Sequence, residues 1–216
     1  MSKDGSITYL DWNNSHIPEI LQEIYIQRLY FPYISSVKDG IFLDVGFNIG
    51  LWSLYAAPFA KQIYGFEPSR DIGAIGQINL DNNGVKNVEL IHKAISPENG
   101  TTTFYKSSNL TMFSLNPNVN DTKESETVET VRLDTFFEEK KIDHIDFAKI
   151  DIEGYEDRLF ASDSFKNVSP KIDCFIYEWH TWANANFHII NAGLMELGYT
   201  TKQLPSNATI FLVRKK

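Results

Sequence analysis

The amino-terminal part of the chain carries apolar residues at the spacing of a helix. These residues are Ile17, Ile20, Leu21, Ile24 and Leu29. Because positions three and four apart lie on one helix face, they predict an amphipathic helix over about 17–30, which Pro32 would end. Residues 1–15 are polar and are not expected to form a core element. We expect the helix to cap a sheet or to lie over a functional site.

Beyond residue 40, short apolar runs alternate with helical patterns. The runs cover 40–46, 62–68, 88–91, 145–151 and 171–177, and the helical patterns cover about 49–60, 70–83 and 184–197. Runs that are apolar on both faces are typical of buried parallel strands. Residues 200–204 and 209–214 flank a turn signal at 205–207 and predict an antiparallel hairpin. The pattern predicts an α/β fold with a doubly wound, mostly parallel sheet closed by this carboxyl-terminal hairpin.

The stretch at about 101–132 departs from this alternation. Residues 101–105 and 127–132 are rich in β-branched side chains and predict two extra strands. Between them, about 107–125 is rich in Ser, Asn and Thr and poor in core-forming residues. It is either a mobile lid or a surface insertion without a binding role. We therefore expect an amino-terminal extension, 1–39, and one domain, 40–216, which carries this insertion.

Composition and charge narrow the classes of function. The 216 residues are 43% hydrophobic, which is typical of a globular domain. The formal net charge is −8, from 20 basic and 28 acidic side chains, and no basic block is large enough to follow a phosphate backbone. We expect no nucleic-acid partner, and the acidic surface suits a small or neutral substrate.

The cellular compartment is predicted from three sequence features. Cys174 is the single cysteine, so no intramolecular disulfide can form. Residues 1–6 lack the apolar run of a signal peptide, and no run of eighteen apolar residues predicts a membrane span. A soluble cytoplasmic protein is the expectation.

The first predicted strand leads into a glycine-containing turn, Asp44-Val45-Gly46-Phe47-Asn48-Ile49-Gly50. Ligands of doubly wound sheets bind at the carboxyl ends of the strands, so this turn is the first candidate site. Gly46 permits a sharp turn close to a ligand, and Gly50 permits close packing of the next helix. Asn48 stands where a dinucleotide fingerprint carries its middle glycine, and Asn tolerates a left-handed backbone. Such turns also occur for structural reasons alone.

A second candidate is Glu67, which ends the second predicted strand 21 residues after Gly46. A carboxylate there can accept hydrogen bonds from both ribose hydroxyls of a nucleoside cofactor, although a solvent-exposed glutamate before Pro68 is the alternative. NAD and S-adenosylmethionine both use this arrangement. Because the Asp44 carboxylate would repel a pyrophosphate but attract an ammonium group, the residues favour S-adenosylmethionine.

Four motifs, in this order, resemble those of the FkbM family of methyltransferases. They are the turn at 44–50, Phe66-Glu67-Pro68, Lys149-Ile150-Asp151-Ile152-Glu153-Gly154-Tyr155-Glu156 and Glu178-Trp179-His180. The resemblance runs from about Gly40 to the carboxyl terminus. It implies a class I methyltransferase fold with a Rossmann-like sheet, S-adenosylmethionine as methyl donor, and O-methylation of a hydroxyl on a small molecule, sugar or glycan. Phe47 departs from the small residue usual after the first glycine and would narrow the cofactor mouth.

The resemblance also implies roles for individual residues. Those implied to line the cofactor are Asp44, Gly46, Asn48, Gly50, Glu67 and Asp151. Asp151 and Glu153 are implied to lie at the tip of the fourth strand, beside the methyl group. The first forty residues carry no strong motif and are open to a role in substrate choice or in the contacts of a homodimer.

Methyl transfer to an alcohol needs an aligned acceptor oxygen, exclusion of water and removal of a proton. Asp151, Glu178 and His180 follow neighbouring strands, so we predict that they meet at the cofactor edge as the catalytic group. The expectation is that His180 accepts the proton while a carboxylate orients it, with Asp151 as the next candidate base. His180 is also open to a structural role, and Asp151 to capping the next helix.

Two alternatives concern the surroundings of this group. Asp151, Glu178 and His180 together could hold a divalent metal, but imidazole is a poorer Mg²⁺ ligand than oxygen, so we expect none. Trp179 and Trp182 flank His180 and, with Glu153, are candidates for binding substrate. A packing role for both tryptophans is the alternative.

Other classes of function are distinguishable by the same features. A methyltransferase acting on protein or RNA would be expected to show basic patches or an extra recognition domain. A non-catalytic nucleoside-binding module would keep the glycine turn and Glu67 but would not need an acid–histidine group. The sequence shows that group and no basic patch, which favours a small-molecule or glycan methyltransferase.

Overall fold

The computed structural model describes residues 8–10, 17–109, 112–119, 121–183, 187–205 and 209–216. The strands within them are β1 (Gly40–Val45), β2 (Ala60–Phe66), β3 (Val88–Ile91), β4 (Ala94–Ile95), β5 (Gly100–Tyr105), β6 (Ser125–Val131), β7 (Phe147–Ile150), β8 (Cys174–Glu178), β9 (Tyr199–Gln203) and β10 (Ile210–Lys215). The α-helices are α1 (Ile17–Leu21), α2 (Phe31–Ile34), α3 (Leu51–Ala56), α4 (Arg70–Asn82), α5 (Leu133–Lys140), α6 (Glu156–Ala161), α7 (Asp163–Val168) and α8 (Phe187–Glu196).

Seven strands form the central sheet, in the order β3-β2-β1-β7-β8-β10-β9. The five strands from β3 to β8 run parallel, and β10 pairs antiparallel with both β8 and β9. The predicted doubly wound sheet and its closing hairpin are therefore confirmed. Val45 pairs with both Phe66 and Ile150, and Ile150 pairs with Tyr177. The carboxyl ends of β1, β2, β7 and β8 thus meet at one edge.

Helices cover both faces of this sheet, and neighbouring residues of each strand point to opposite faces. In β1, Phe42 contacts the rings of Trp52 and Phe147 in the apolar layer that α1 to α4 cover. Leu43, the next residue, packs into the other layer, which α5 to α8 cover. A strand buried on both faces explains why the parallel runs are apolar throughout.

The amino-terminal helix differs from its prediction. α1 ends at Leu21, a π-helical turn follows over Gln22–Ile26, and α2 begins at Phe31. Pro32 lies in the first turn of α2, so the prediction that it ends a helix is wrong. Proline lacks a backbone N–H, and the first helical turn has no partner for that N–H in any case. The chain instead changes direction at Arg28, which has φ 53°.

The inserted stretch and the preceding strand β4 form a second, three-stranded sheet in the order β4-β6-β5. β5 and β6 confirm the two extra strands, whereas β4 was not predicted. The prediction that 107–125 is too poor in apolar residues for packing is wrong for its described residues, because Phe113 and Leu115 pack against Phe104 and Val128. Residues 110, 111 and 120 lie outside the described part. Closure of the segment as a lid stays a prediction.

Several predicted segments lie partly outside the residues that the structure describes. Residues 184–186 of the predicted helix at 184–197 and residues 206–208 of the hairpin turn lie outside it, as do 1–7 and 11–16. Residues 8–10 are held on α4 and its C-cap, where Asn79 and Asn83 form hydrogen bonds with the backbone of Leu10 and Thr8. None of the helices that the structure describes has the length and apolar run needed to cross a membrane.

Candidate active site

A cavity of about 470 Å³ opens at the carboxyl edge of β1, β2, β7 and β8. Its floor carries the glycine turn and the ends of these strands, including Gly46, Glu67, Asp151 and Glu178. The amino-terminal helical segment and the inserted stretch close its sides, with side chains that sequence reasoning did not assign to a site: Ile20, Glu23, Ile24, Tyr30, Met112, Phe113 and Leu115. The volume lies within the range of roughly 300–1,000 Å³ that is usual for small-molecule sites.

The glycine turn lies close to the backbone of the loop that follows β7. Gly46 has φ 90°, and a Cβ placed on it would lie 1.8 Å from the Asp151 carbonyl oxygen. Asn48 has φ 53°, which confirms the left-handed backbone expected of it. Its backbone N–H donates to Glu67 Oε2 at 2.9 Å. The conformation of the turn therefore depends on its own residues and on the hydrogen bond to Glu67, which follows β2.

Phe47 occupies a socket formed by three glycines. Its side chain is 2% exposed, and a Cβ on Gly50, Gly65 or Gly76 would lie 2.6, 2.5 or 2.3 Å from its ring. The ring is buried under the turn, and Phe47 also belongs to the lining of the cavity. Narrowing of the cofactor mouth by this residue stays a prediction. Gly50 is the N-cap residue of α3 and packs closely on this ring, as predicted for a residue of close packing. It does not line the cavity, in contrast to its implied place beside the cofactor.

Replacing Gly76 with alanine is expected to lower the free energy of unfolding by about 1–3 kcal/mol, because the new methyl group overpacks the Phe47 socket. Gly193→Ala provides a matched control in another helix, α8, where a Cβ meets nothing within 4 Å. That change should raise the free energy of unfolding by roughly 0.5–1 kcal/mol through helix propensity. Urea unfolding measures the change in the free energy of unfolding for both variants. Changes of the same sign would contradict the close packing of Gly76 on Phe47.

Glu67 is fixed in the cavity wall by two backbone donors. Oε2 accepts from Asn48 N and Oε1 accepts from Ser69 N, at 2.9 and 3.0 Å. The residue is 5% exposed, and burial raises the pKa of its carboxyl to about 7, although both donors oppose this rise. The carboxylate is thus positioned at the end of β2, where a ligand in the cavity can reach it.

Asp44 does not line the cavity, in contrast to its predicted role. Its side chain is fully buried, Oδ2 accepts from Ser53 Oγ at 2.7 Å, and Oδ1 lies 3.6 Å from Lys149 Nζ. Burial raises the pKa of this carboxyl to about 6. Asp44 is absent from the cavity lining and contacts Lys149, which donates to Gly46 O, so it supports the turn. The acidic groups that can face a cofactor are others.

Lys149 is a site residue that sequence reasoning left without a role. Its Nζ donates to Gly46 O at 2.7 Å and lies 3.2 Å from Asp151 Oδ2. Burial opposes its charge, but the carboxylates of Asp151 and Asp44 outweigh burial and raise the pKa of Lys149. A lysine inside an apolar strand, Phe147–Ile150, was the sequence signal for such a buried ion pair.

His180 is surrounded by carboxylates. Nδ1 lies 3.0 Å from Glu156 Oε1, Nε2 lies 3.1 Å from Glu153 Oε2, and Asp151 Oδ1 is 3.7 Å from Nε2. Burial alone would lower its pKa, but the bonds to Glu153 and Glu156 raise the pKa of His180 to about 12. Both ring nitrogens face carboxylates, which favours the imidazolium form. Because an imidazolium cannot accept a proton, these contacts argue against His180 as the base.

The loop that follows β7 holds a glutamate in an unusual conformation. Glu153 has φ 53° and is followed by Gly154 at φ 84°. A left-handed backbone is unfavourable for glutamate, and such strain persists only where the surroundings impose it. Here Glu156 Oε1 accepts from Ile152 N at 3.0 Å, and His180 contacts the Glu153 side chain. Burial raises the pKa of Glu153 to about 7.

The three residues predicted to form the catalytic group do come together. Asp151, Glu178 and His180 each offer a donor atom, and these atoms lie within 4.8 Å of one another. Burial raises the pKa of Glu178 to about 8, and the Asp151 charge adds to the rise. For Asp151, burial opposes ionisation, but the Lys149 ammonium lowers the pKa. Both His180 nitrogens already contact carboxylates, so we retain the expectation that no metal binds here.

The two predicted substrate-binding tryptophans separate in the structure. Trp182 lines the cavity, with its ring edge-on to His180 at 5.6 Å. Trp179 instead packs against Phe187 and Phe211, outside the cavity lining. Trp179 directly follows β8 and packs in the apolar layer, whereas Trp182 lies in the helical turn Thr181–Ala183. The substrate-binding prediction is therefore wrong for Trp179, which has the packing role. Glu153 does line the cavity.

Solved structures with a similar fold include several methyltransferases. A Streptococcus mutans protein assigned as a methyltransferase, in complex with S-adenosylhomocysteine (SAH), is 14% identical over 88% of this chain and 97% of that chain, with a TM-score of 0.55. Precorrin-6y C5,15-methyltransferase from Geobacter metallireducens is 11% identical over 88% of both chains, with a TM-score of 0.52. An rRNA methylase from Streptococcus thermophilus is 12% identical over 88% and 96%, with a TM-score of 0.51.

At these identities the likeness shows the fold, which is the Rossmann-like fold of class I methyltransferases. No curated protein matches the chain. Residues 44–201 match the family described as the methyltransferase FkbM domain. Because this match covers most of the chain, the protein belongs to the FkbM family of methyltransferases, and its methyl donor is S-adenosylmethionine.

Proposed function

We propose that the protein transfers the methyl group to a hydroxyl oxygen of a small molecule, sugar or glycan, with Glu178 as the general base. The observation that carries the proposal is the Glu178 carboxyl in the cavity wall, whose pKa burial raises to about 8. An alcohol is a poor nucleophile while it keeps its proton, and a base works best when its pKa lies near the working pH.

The cavity fits S-adenosylmethionine in its size and in its donor set. Glu67 offers acceptor oxygens for the ribose hydroxyls, Ile72 and Ile95 offer apolar contacts for the adenine ring, and Asp151 offers negative charge for the ammonium group. When bound, the cofactor supplies an electrophilic methyl group on a positively charged sulfur. These assignments revise the cofactor-binding set by replacing Asp44 with Asp151 as the partner of the ammonium group.

The remaining residues keep the base and its surroundings in place. The Thr209 hydroxyl contacts Glu178 Oε1 at 3.2 Å, so we assign Oε2 as the atom that takes the acceptor proton. His180, as an imidazolium, orients Glu153 and Glu156. Lys149 keeps Asp151 ionised. Trp182 and the amino-terminal helical segment line the cavity and exclude water from the reacting atoms.

Charge supports a neutral acceptor over a nucleic acid. Glu19 and Glu23 line the same cavity as Glu178, whereas the basic side chains there are Lys93, Lys149 and the His180 imidazolium. Lys149 and His180 are already in buried ion pairs with carboxylates. A phosphate backbone would approach an acidic rim, which is unfavourable. Methylation of protein or RNA is the competing outcome.

A screen of hydroxylated acceptors with isotopically labelled S-adenosylmethionine tests the proposal. Transfer should yield products that gain one labelled methyl group, and fragmentation should locate it on an oxygen. Label found only in RNA or protein added to the same reaction would replace the proposed acceptor class. Label on nitrogen or carbon would reject Glu178 as the base of an O-methyl transfer.

Glu67→Ala is expected to weaken binding of S-adenosylmethionine by about 1.5–3 kcal/mol, the usual loss for hydrogen bonds to a charged acceptor. Titration calorimetry measures the affinity, and urea unfolding verifies that the variant is folded. Glu98→Ala, at an exposed position outside the cavity, is the matched control and should bind normally. Unchanged affinity in a folded Glu67→Ala protein would remove Glu67 from the cofactor site.

A further inference from the structure

A second cavity, of about 350 Å³, lies beside the candidate active site. Leu115 and Tyr155 line both cavities, so the two are neighbours across a shared wall. The second cavity is further lined by Asn118, Asp157 and Arg158, which come from the inserted stretch and from α6. None of these three residues has a role in the methyl transfer proposed above.

The wall between the two cavities is held by specific contacts. Asn116 Nδ2 donates to Gly154 O at 2.9 Å, and Ser114 Oγ donates to Ile152 O at 3.0 Å. A Cβ on Gly154 would lie 2.5 Å from Ala183 Cβ, so this glycine lets the loops pack together. Because the Ile152–Gly154 loop also carries Glu153, the second cavity keeps a fixed position relative to the acidic group around His180.

The size of the first cavity limits what it can hold. About 470 Å³ must admit a nucleoside cofactor with its amino-acid chain as well as the acceptor hydroxyl. Ligand sites for a single drug-sized molecule already occupy roughly 300–1,000 Å³. Little of this volume is left for an acceptor beside the cofactor, so the rest of a larger acceptor extends out of the cavity. The second cavity shares Leu115 and Tyr155 with the first, so it is the adjoining space across these two side chains.

The side chains of the second cavity suit a hydroxylated ring. Asn118 offers both donors and acceptors, Arg158 offers donors, and Asp157 offers acceptors. The Tyr155 ring provides an apolar face for the carbon–hydrogen face of a sugar. One acidic and one basic side chain leave the cavity without net charge, so an anionic group is not favoured over a neutral one.

We propose that the acceptor is a glycoside or oligosaccharide of at least two rings, whose second ring binds at Asn118, Asp157 and Arg158. This inference rests on the proposed O-methylation and specifies its substrate class. The methylated ring lies beside Glu178, and the second ring lies beyond the wall formed by Leu115 and Tyr155. Arg158 and Asn118 are then residues of acceptor selection rather than of proton transfer.

The experiment compares methyl transfer to monosaccharides with transfer to the corresponding disaccharides, using the full chain and labelled S-adenosylmethionine. For the wild type, we expect kcat/KM to be about tenfold to a hundredfold higher for a disaccharide than for its monosaccharide, as hydrogen bonds to a charged group provide. Arg158→Ala should reduce this ratio by about tenfold or more. Asn118→Ala, at an exposed position, is the second variant, and Lys166→Ala on α7, outside both cavities, should keep the wild-type ratio.

Each outcome decides the inference. A disaccharide preference that survives in both Arg158→Ala and Asn118→Ala overturns the second subsite. Equal transfer to mono- and disaccharides by the wild type also overturns it, while leaving the proposed O-methylation intact. Transfer to no sugar, despite binding of S-adenosylmethionine, rejects the oligosaccharide acceptor. Transfer to RNA or protein instead rejects the proposed function together with the subsite.

Discussion

Replacing Glu178 with glutamine is expected to lower methyl transfer by about 10²–10⁴-fold, the range for loss of a positioned general base. Glutamine keeps the size of the side chain and its bond with Thr209, but it cannot take a proton. The affinity for S-adenosylmethionine should change little, because the nucleoside is assigned to the ends of β1 and β2. Initial rates with a methylated acceptor from the screen and calorimetry with the cofactor measure the two quantities.

The pH dependence of the wild type provides a second readout of the same residue. A base acts only when it is deprotonated, and burial raises the pKa of Glu178 to about 8. The rate should therefore be low below pH 8 and should rise to a plateau above it. In Glu178→Gln this ionisation should disappear. The surroundings of His180 raise its pKa to about 12, so histidine deprotonation is not expected to shape the profile between pH 6 and 9.

Two comparisons make the result specific to Glu178. Glu196→Gln, on the exposed end of α8, should keep the wild-type rate and profile. Glu153→Gln tests the other carboxyl in the cavity wall, whose pKa burial raises to about 7. If Glu178→Gln keeps near wild-type turnover and Glu153→Gln loses it, the base is Glu153. A profile that rises near pH 7 rather than pH 8 would agree with that reassignment.

Lys149→Met is expected to lower the free energy of unfolding by about 3–5 kcal/mol, the cost of removing one partner from a buried ion pair. Methionine has an unbranched side chain that is one heavy atom shorter than that of lysine, so the change removes the charge with a small change in volume. It leaves Asp44, which is fully buried, and Asp151 without the cation that lies 3.6 and 3.2 Å from them. Urea unfolding at pH 7 measures the loss.

The control for this variant is a lysine in an exposed ion pair. Lys166 lies 3.4 Å from Asp163 on the surface of α7, and pairs of this kind contribute about 1 kcal/mol or less. Lys166→Met should therefore cost much less than Lys149→Met. Similar losses for both variants would show that Lys149 is not a buried ion-pair partner.

The effect of pH on Lys149→Met follows from the carboxyl groups left behind. Without the lysine, the pKa values of Asp44 and Asp151 should be higher in the folded than in the unfolded protein. The folded state then binds more protons, so its stability relative to the wild type rises as the pH falls. The difference between Lys149→Met and wild type should shrink from pH 7 towards pH 4. A constant difference would contradict the electrostatic explanation.

Local patterns were sufficient to predict most of the sheet. Apolar runs bounded by glycine and helical patterns located all five parallel strands and the closing hairpin, because burial on both faces demands continuous apolar residues. Parallel strands end at the same edge of a sheet. The proximity of Asp151, Glu178 and His180 could therefore also be predicted from the sequence. The same reasoning failed at Pro32, which proline chemistry permits at a helix start as well as at a helix end.

The sequence by itself determined the parallel core, the glycine turn at Gly46 and the identity of the acidic edge, since backbone conformation and burial are encoded in neighbouring residues. Only the tertiary structure decided which charges face one another. Burial of Asp44 behind the turn, the ion pairs of Lys149 and the carboxylates around His180 arise between residues distant in the chain. Because protonation depends on these distances and on the loss of water, the change of the expected base from His180 to Glu178 required the folded molecule.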